Sequence, residues 1–411
     1  MIRASRSWLP LCLLLLSFAI PRQALAAGTY KFCLGWNYTF IDEGLGEDKL
    51  LHWASSGTYG GKVAAYAYSV LYRDGVQLWS GLLDSGGCTP KVTASAGTYE
   101  VYTTTDIEPP GGPKILITPT STHEWRWYWA GFGYMPARTD QTGYNAYFGP
   151  GDALINVAAA ALELLARPDN GLVSGQEYWV SAESTTPTAT GGAVSLGWNM
   201  QFSQWDAFFK SVILHEMGHL IQYKAFGIQA HDYEASLNPA PPPVCACGSV
   251  YDPADRKHCI QSLEETGAAQ IEGFGHFVAA ATLNSVTQNP GWFPYYKNYW
   301  APQGYVVEPP IAFATVPWHW MRDRCPASNG GVELDWMAFL YGLTRNASAS
   351  KYSFNDIAAT YRRTCTGSNT TNCSTSNATP WAGLVNSATA IHGVTKGTYW
   401  AQQGDVYGVN F

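Results

Sequence analysis

The sequence predicts an α+β protein, with an N-terminal β-sandwich, a mixed core in the middle and a mainly helical C-terminal subdomain. Three patterns lead there. Between residues 28 and 120, apolar residues recur at period two, the spacing of half-buried strands. Around residue 215 an apolar run encloses two histidines at helical spacing. Beyond about residue 330 the period becomes helical again. At 411 residues the chain exceeds one typical core, so roughly two or three subdomains are expected.

Residues 1–26 have the form of a secretory signal. Arg3 and Arg6 open it, Leu9 to Ile20 supply an apolar core, and Ala24-Leu25-Ala26 a cleavage site. That core is too short for a stable membrane span, and no later segment is long or apolar enough. The expectation is an exported chain, secreted or periplasmic, with no membrane partner. Residues 27–120 make the sandwich. Gly61–Tyr72 and Val76–Ser80 flank Asp74-Gly75, a two-residue hairpin signal, and Thr98–Thr103 and Lys114–Thr118 alternate. The Trp and Tyr residues here either fill its core or form a sugar- or peptide-binding face.

Residues 121–285 form the central core. Asp152 caps a helix over Ala153–Ala166 that Pro168 stops, and strands follow at Glu177–Ser181 and Ala193–Trp198. A helix covers residues 211–225. A second covers Ser262–Leu283, entered through Ser262-Leu263-Glu264-Glu265 as a capping box. Residues 228–259 between them are an irregular insertion with several Pro and three Cys. Residues 286–411 carry helices at Glu333–Gly342 and Phe354–Arg362.

Loss of the signal removes Arg3, Arg6 and Arg22 and no acid. The 24 basic residues become 21 against 31 acidic ones, a formal charge of −10. That balance excludes nucleic acid and anionic membrane surfaces as partners. Setting aside Cys12, the Cys set is Cys33, Cys88, Cys245, Cys247, Cys259, Cys325, Cys365 and Cys373. An even set in an exported chain reads as disulfides. Locality pairs Cys33 with Cys88, Cys365 with Cys373, one of Cys245 and Cys247 with Cys259, and the remaining one with Cys325. The rival is a Cys-His metal site at Cys245, Cys247, His258 and Cys259.

The segment His215-Glu216-Met217-Gly218-His219 lies inside the apolar run, after Ser211-Val212-Ile213-Leu214 and before Leu220-Ile221. Residues i and i+4 share a helical face, so both imidazoles can point at one metal ion, leaving Glu216 to act on a bound water. By chance the three fixed residues arise in roughly one chain of this length in a hundred. Two imidazoles and a carboxylate on a buried helix cost several kcal/mol unless satisfied, and zinc would satisfy them. Gln222 and Ala225 stand where the three-histidine zinc pattern needs Gly and His, which excludes that class. A third ligand from the downstream helix remains, and Ile271-Glu272-Gly273-Phe274-Gly275-His276 offers Glu272 among small and apolar residues. Glu265, two turns earlier on the same face, is its rival.

Over residues 211–225 and 262–280 the sequence resembles the gluzincin clan of zinc metallopeptidases. The resemblance implies a zincin-like core, zinc ligands His215, His219 and Glu272, and Glu216 as the catalytic carboxylate. Two features depart from that pattern. Fifty-two residues separate His219 from Glu272, more than in compact members of the clan. The position four after the ligand Glu, acidic in thermolysin-like enzymes, is His276.

The expected activity is hydrolysis of peptide or protein substrates by a zinc-activated water, with Glu216 as general base. One strand before the motif helix should form the edge along which an extended substrate pairs. His231, Tyr233, His276 and His319 are candidates to stabilise the oxyanion. Cleavage of a different bond is a rival, and the main alternative is a non-catalytic secreted adhesion or carbohydrate-binding protein with a structural zincin core. Oligomeric state is not legible.

Overall fold

The structure is a computed structural model that describes residues 28–40, 60–119, 124–135, 142–148, 152–182, 194–195, 199–202, 206–226, 266–283, 333–345, 350–366 and 381–410. The first six strands are β1 (Gly28–Tyr38), β2 (Gly60–Val63), β3 (Tyr68–Arg73), β4 (Val76–Leu82), β5 (Val92–Ala94) and β6 (Gly97–Thr103). Then come β7 (Lys114–Thr118), β8 (Tyr128–Met135), β9 (Thr142–Phe148), helix α1 (Ala153–Leu165), β10 (Glu177–Ser181), β11 (Val194–Ser195) and β12 (Asn199–Gln201). Six further helices follow: α2 (Lys210–Phe226), α3 (Thr266–Leu283), α4 (Glu333–Arg345), α5 (Phe354–Thr366), α6 (Trp381–His392) and α7 (Val394–Tyr407). The protein is α+β.

Asp74 and Gly75 make the expected turn between β3 and β4, both at positive φ (48° and 77°), as a right-twisted two-residue hairpin requires. That hairpin continues into an antiparallel sheet of order β4-β3-β6-β8. A second sheet is built on β1, which pairs antiparallel with β2 and β5 and parallel with β9. The two sheets share an aromatic layer. Tyr30 and Phe32 of β1 lie 5.0 and 5.3 Å from the Tyr99 ring of β6, and Trp36 lies 5.9 Å from Tyr128 of β8. The Cys33–Cys88 disulfide ties β1 to the loop after β4. Closing a loop of that length removes roughly 4 kcal/mol of chain entropy from the unfolded state. Cys365 is also disulfide-bonded, to a partner beyond the described residues. The expected pairings of Cys245, Cys247, Cys259 and Cys325 lie outside the described residues.

The third sheet has the order β11-β12-β10-β7, with β10 parallel to both neighbours and β11 antiparallel at the edge. Strand pairing therefore crosses the expected boundary at 120 in both directions. β7 joins the sheet of β10, while β8 and β9 join strands from residues 28–103. Helix α1 packs against β1 and β7. Asp152 caps it, accepting from the N–H of Leu154 (2.9 Å) and Ile155 (3.3 Å), and also takes the Tyr128 hydroxyl proton at 2.8 Å. The capping box expected at Ser262–Glu265 lies outside the described residues, and α3 is described from Thr266. The C-terminal helices pack in sequence, α5 on α6, α6 on α7, and α7 back on α4.

Asp106, between β6 and β7, accepts the Ile117 N–H at 2.8 Å and is only 4% exposed. Burial, with Glu108 adding to it, pushes its carboxyl from 3.8 up to about 7, against the bonds from Ile117 and Trp125. The native state thus keeps a proton that the unfolded chain releases near 3.8. This group's stability is fully present below that value and is lost as pH rises toward 7, by an amount on the order of 2–4 kcal/mol. Asp106→Asn keeps the acceptor and should stabilise the protein at pH 8 relative to wild type, with the advantage gone by about pH 4. Urea unfolding at both pH values measures this, and a pH-independent difference would contradict it.

Candidate metal centre

From Lys210 to Gln222 helix α2 is largely buried, its histidine face included, and it packs against α1, α3 and α5. Lys210 at its start pairs with Glu163 of α1 at 3.2 Å. Opposite lies α3, which divides its faces. Phe274 and Phe277 turn to Phe354 of α5, at ring separations of 6.0 and 5.1 Å. Glu272, Gly275 and His276, three and four positions apart, meet α2.

The two helices cross at glycines. A Cβ on Gly218 would stand 2.8 Å from the Gly275 Cα, and one on Gly275 would stand 2.8–3.1 Å from the His215 ring. Either is closer than a side chain tolerates, so only this glycine pair permits the crossing. The result brings donors from both helices together. His215 Nε2 lies 2.9 Å from Glu272 Oε2 and 3.1 Å from His219 Nε2, and His219 Nε2 lies 3.5 Å from Glu272 Oε1. All three side chains are nearly buried, 12%, 6% and 8% exposed for His215, His219 and Glu272.

Protons or a cation can hold that triangle together. His219 Nδ1 sits 3.1 Å from Gln222 Oε1, so it carries a proton and Nε2 faces inward. Without an ion, a second proton on Nε2 bonds it within the triangle; a cation among the three donors would take that proton's place. Ligand atoms about 2.0–2.2 Å from a tetrahedral centre lie about 3.3–3.6 Å apart; the separations here are 2.9, 3.1 and 3.5 Å, so a small outward shift of the donors would seat an ion. The residues present therefore fit a metal ion.

The electrostatics agree. At His215, burial lowers the pKa and His276 adds to it, against Glu272. At His219 burial also lowers it, but the Glu272 carboxylate, with Glu216 and Gln222, outweighs burial and holds the group up at about 9. One imidazole is thus made a neutral donor and the other gathers positive charge when no ion is bound. Glu216 is 8% exposed, and its carboxylate lies within 4.8 Å of ligand nitrogens of both histidines.

The structure brings together His215, Glu216, His219 and Glu272, which sequence reasoning had singled out. Glu265, His231, Tyr233 and His319 lie outside the described residues, as does the rival set Cys245, Cys247, His258 and Cys259. His276, an oxyanion candidate that also occupies the position four after Glu272, tilts against His215 with ring centroids 4.3 Å apart. Its Nε2 is 3.2 Å from Glu333 Oε2 of α4. Glu333 and Gln222 had not been singled out. Gln222 was findable as i+3 from His219, whereas no local signal links Glu333 to a residue 57 positions earlier.

No protein-family model matches the chain, and neither a curated protein nor a solved structure matches it. Among the described residues no helix is long and apolar enough to cross a membrane. The donor geometry carries one expectation. Protein purified without added metal should hold about one divalent ion per chain by elemental analysis, and His215→Ala/His219→Ala should hold none. Full metal content in that folded variant would remove the site.

Proposed function

We propose that the chain is an exported, zinc-dependent peptidase of the gluzincin type. The observation that carries this reading is the triangle of His215 Nε2, His219 Nε2 and Glu272, whose buried donor atoms converge within 3.5 Å of one another. Two imidazoles and one carboxylate are the donor set of catalytic zinc, which leaves a fourth position open. When bound, zinc supplies a Lewis acid and lowers the pKa of a water to about 7.

The protein's own groups do the rest. Gln222 holds the His219 tautomer, and Glu272 orients both imidazoles. Glu216, buried beside the donors, takes the proton of the attacking water at its carboxylate and returns it to the leaving amine. Strand β11 is the edge of its sheet, and its sheet packs on α2. An extended peptide pairing there would pass alongside the motif helix. On this reading α1, α2, α3 and the third sheet form a zincin-like core, and the aromatic layer between the first two sheets fills a β-sandwich. The Cys33–Cys88 disulfide supports an extracytoplasmic location, secreted or periplasmic.

A second reading draws on exposed aromatics. Trp127, Trp129 and Tyr134, on or beside β8, are 47%, 56% and 70% exposed, as a carbohydrate-binding surface would be. A non-catalytic adhesion or carbohydrate-binding protein with a structural zincin core has no use for Glu216 beside the donors, however. Glu216→Gln separates the two readings. The variant should keep zinc and the wild-type melting temperature, and lose about 10²–10⁴ in the rate of hydrolysis of a mixed peptide substrate. Equal rates in folded, zinc-loaded wild type and variant would end the peptidase reading.

A further inference from the structure

We infer that His276 and Glu333 form a positioning pair which, with Gly275, fixes the orientation of the His215 imidazole. The inference deepens the metal reading above and, for its effect on metal affinity, rests on it. The His215 ring is enclosed on three sides. The bare Gly275 backbone lies beneath it, the His219 ring meets it edge-on at 4.7 Å and 89°, and the His276 ring tilts against it at 4.3 Å and 55°. His215 Nδ1 is buried and has no hydrogen-bond partner among the described residues. The ring therefore has no bond of its own at that end, and packing there joins the Glu272 contact at Nε2 in setting its angle.

Two of the three walls are backbone or a fellow ligand. His276 is the one that could rotate, and Glu333 stops it. The His276 Nε2–Glu333 Oε2 contact is 3.2 Å, with side chains 8% and 1% exposed. Glu333 opens α4, where the helix dipole favours a carboxylate. Helix α4 is held tightly on α3 in turn, since Gly273 leaves no room for a Cβ between α3 and Trp336. A buried carboxylate–imidazole pair adds little net stability over apolar residues of similar size. What it supplies here is a fixed angle for a ring that touches a donor. The centre accordingly needs three helices, and α4 joins it through Glu333.

The test compares Glu333→Leu, Glu333→Gln and the double variant His276→Leu/Glu333→Leu, which leaves no unpaired buried charge and so guards against misfolding. Zinc dissociation constants come from competition with a chelator. The His215 tautomer in metal-free protein comes from long-range ¹H–¹⁵N NMR. Glu333→Leu and the double variant should fold, bind zinc about 10–100-fold more weakly, and show mixed His215 tautomers. Glu333→Gln, which keeps an acceptor oxygen for His276, should stay close to wild type in both. A merely structural pair would shift the melting temperature and leave both readouts alone. Wild-type affinity together with a single His215 tautomer in the double variant would overturn the inference. If wild-type protein took up no zinc, the metal reading would fall, and the tautomer measurement would still decide the positioning role.

Discussion

The distance between α2 and α3 is set by two residues without side chains, Gly218 and Gly275, and the candidate metal centre takes its dimensions from that distance. A carboxylate is short. Glu272 reaches the imidazoles of the neighbouring helix only because the backbones approach far closer than ordinary side-chain packing allows. The same crossing puts the Gly275 Cα under the His215 ring and the His276 ring beside it. Position, reach and orientation of the donors thus follow from one steric allowance.

That closeness has an electrostatic consequence. Glu216, His219, Glu272, His276 and Glu333 are all buried, where an unpaired polar group is costly. Glu272 pairs with the two imidazoles, His219 with Gln222, and His276 and Glu333 with each other. The gap between the three inward-facing donors is where a cation fits. A site built for stability alone would close that gap with protons or fill it with apolar atoms.

Local signals in the sequence translated well into local structure. Asp74-Gly75 specifies a turn whatever surrounds it, because positive φ at both positions suits few other pairs. Asp152 caps α1 through atoms two and three residues away. The i, i+4 spacing of His215 and His219 puts both on one side of α2 for the same reason, since helix geometry alone determines it. The sheet partners were harder to read. Lys114–Thr118 was legible as a strand, but its pairing with β10, and that of β9 with β1, join segments far apart in sequence. Alternation says which residues face inward and nothing about which strand lies alongside.

The sequence by itself determined α1, α2, α4, α5, β4, β6, β7 and β10 near their observed positions, the His-Glu-x-x-His face, and Glu272 as a carboxylate in a small-residue helix. β1, β5, β8, β9, α6 and α7 were not read, and Gly61–Tyr72 proved to be two strands. Tertiary structure alone decided that Gly218 meets Gly275, that β7 leaves its sequence neighbours for another sheet, and that Glu333 reaches His276 from α4. The division has one cause. Backbone geometry and capping act over a few residues and leave marks at fixed spacings. Packing pairs surfaces by shape, and a shape shared between distant segments leaves no periodic trace in either one.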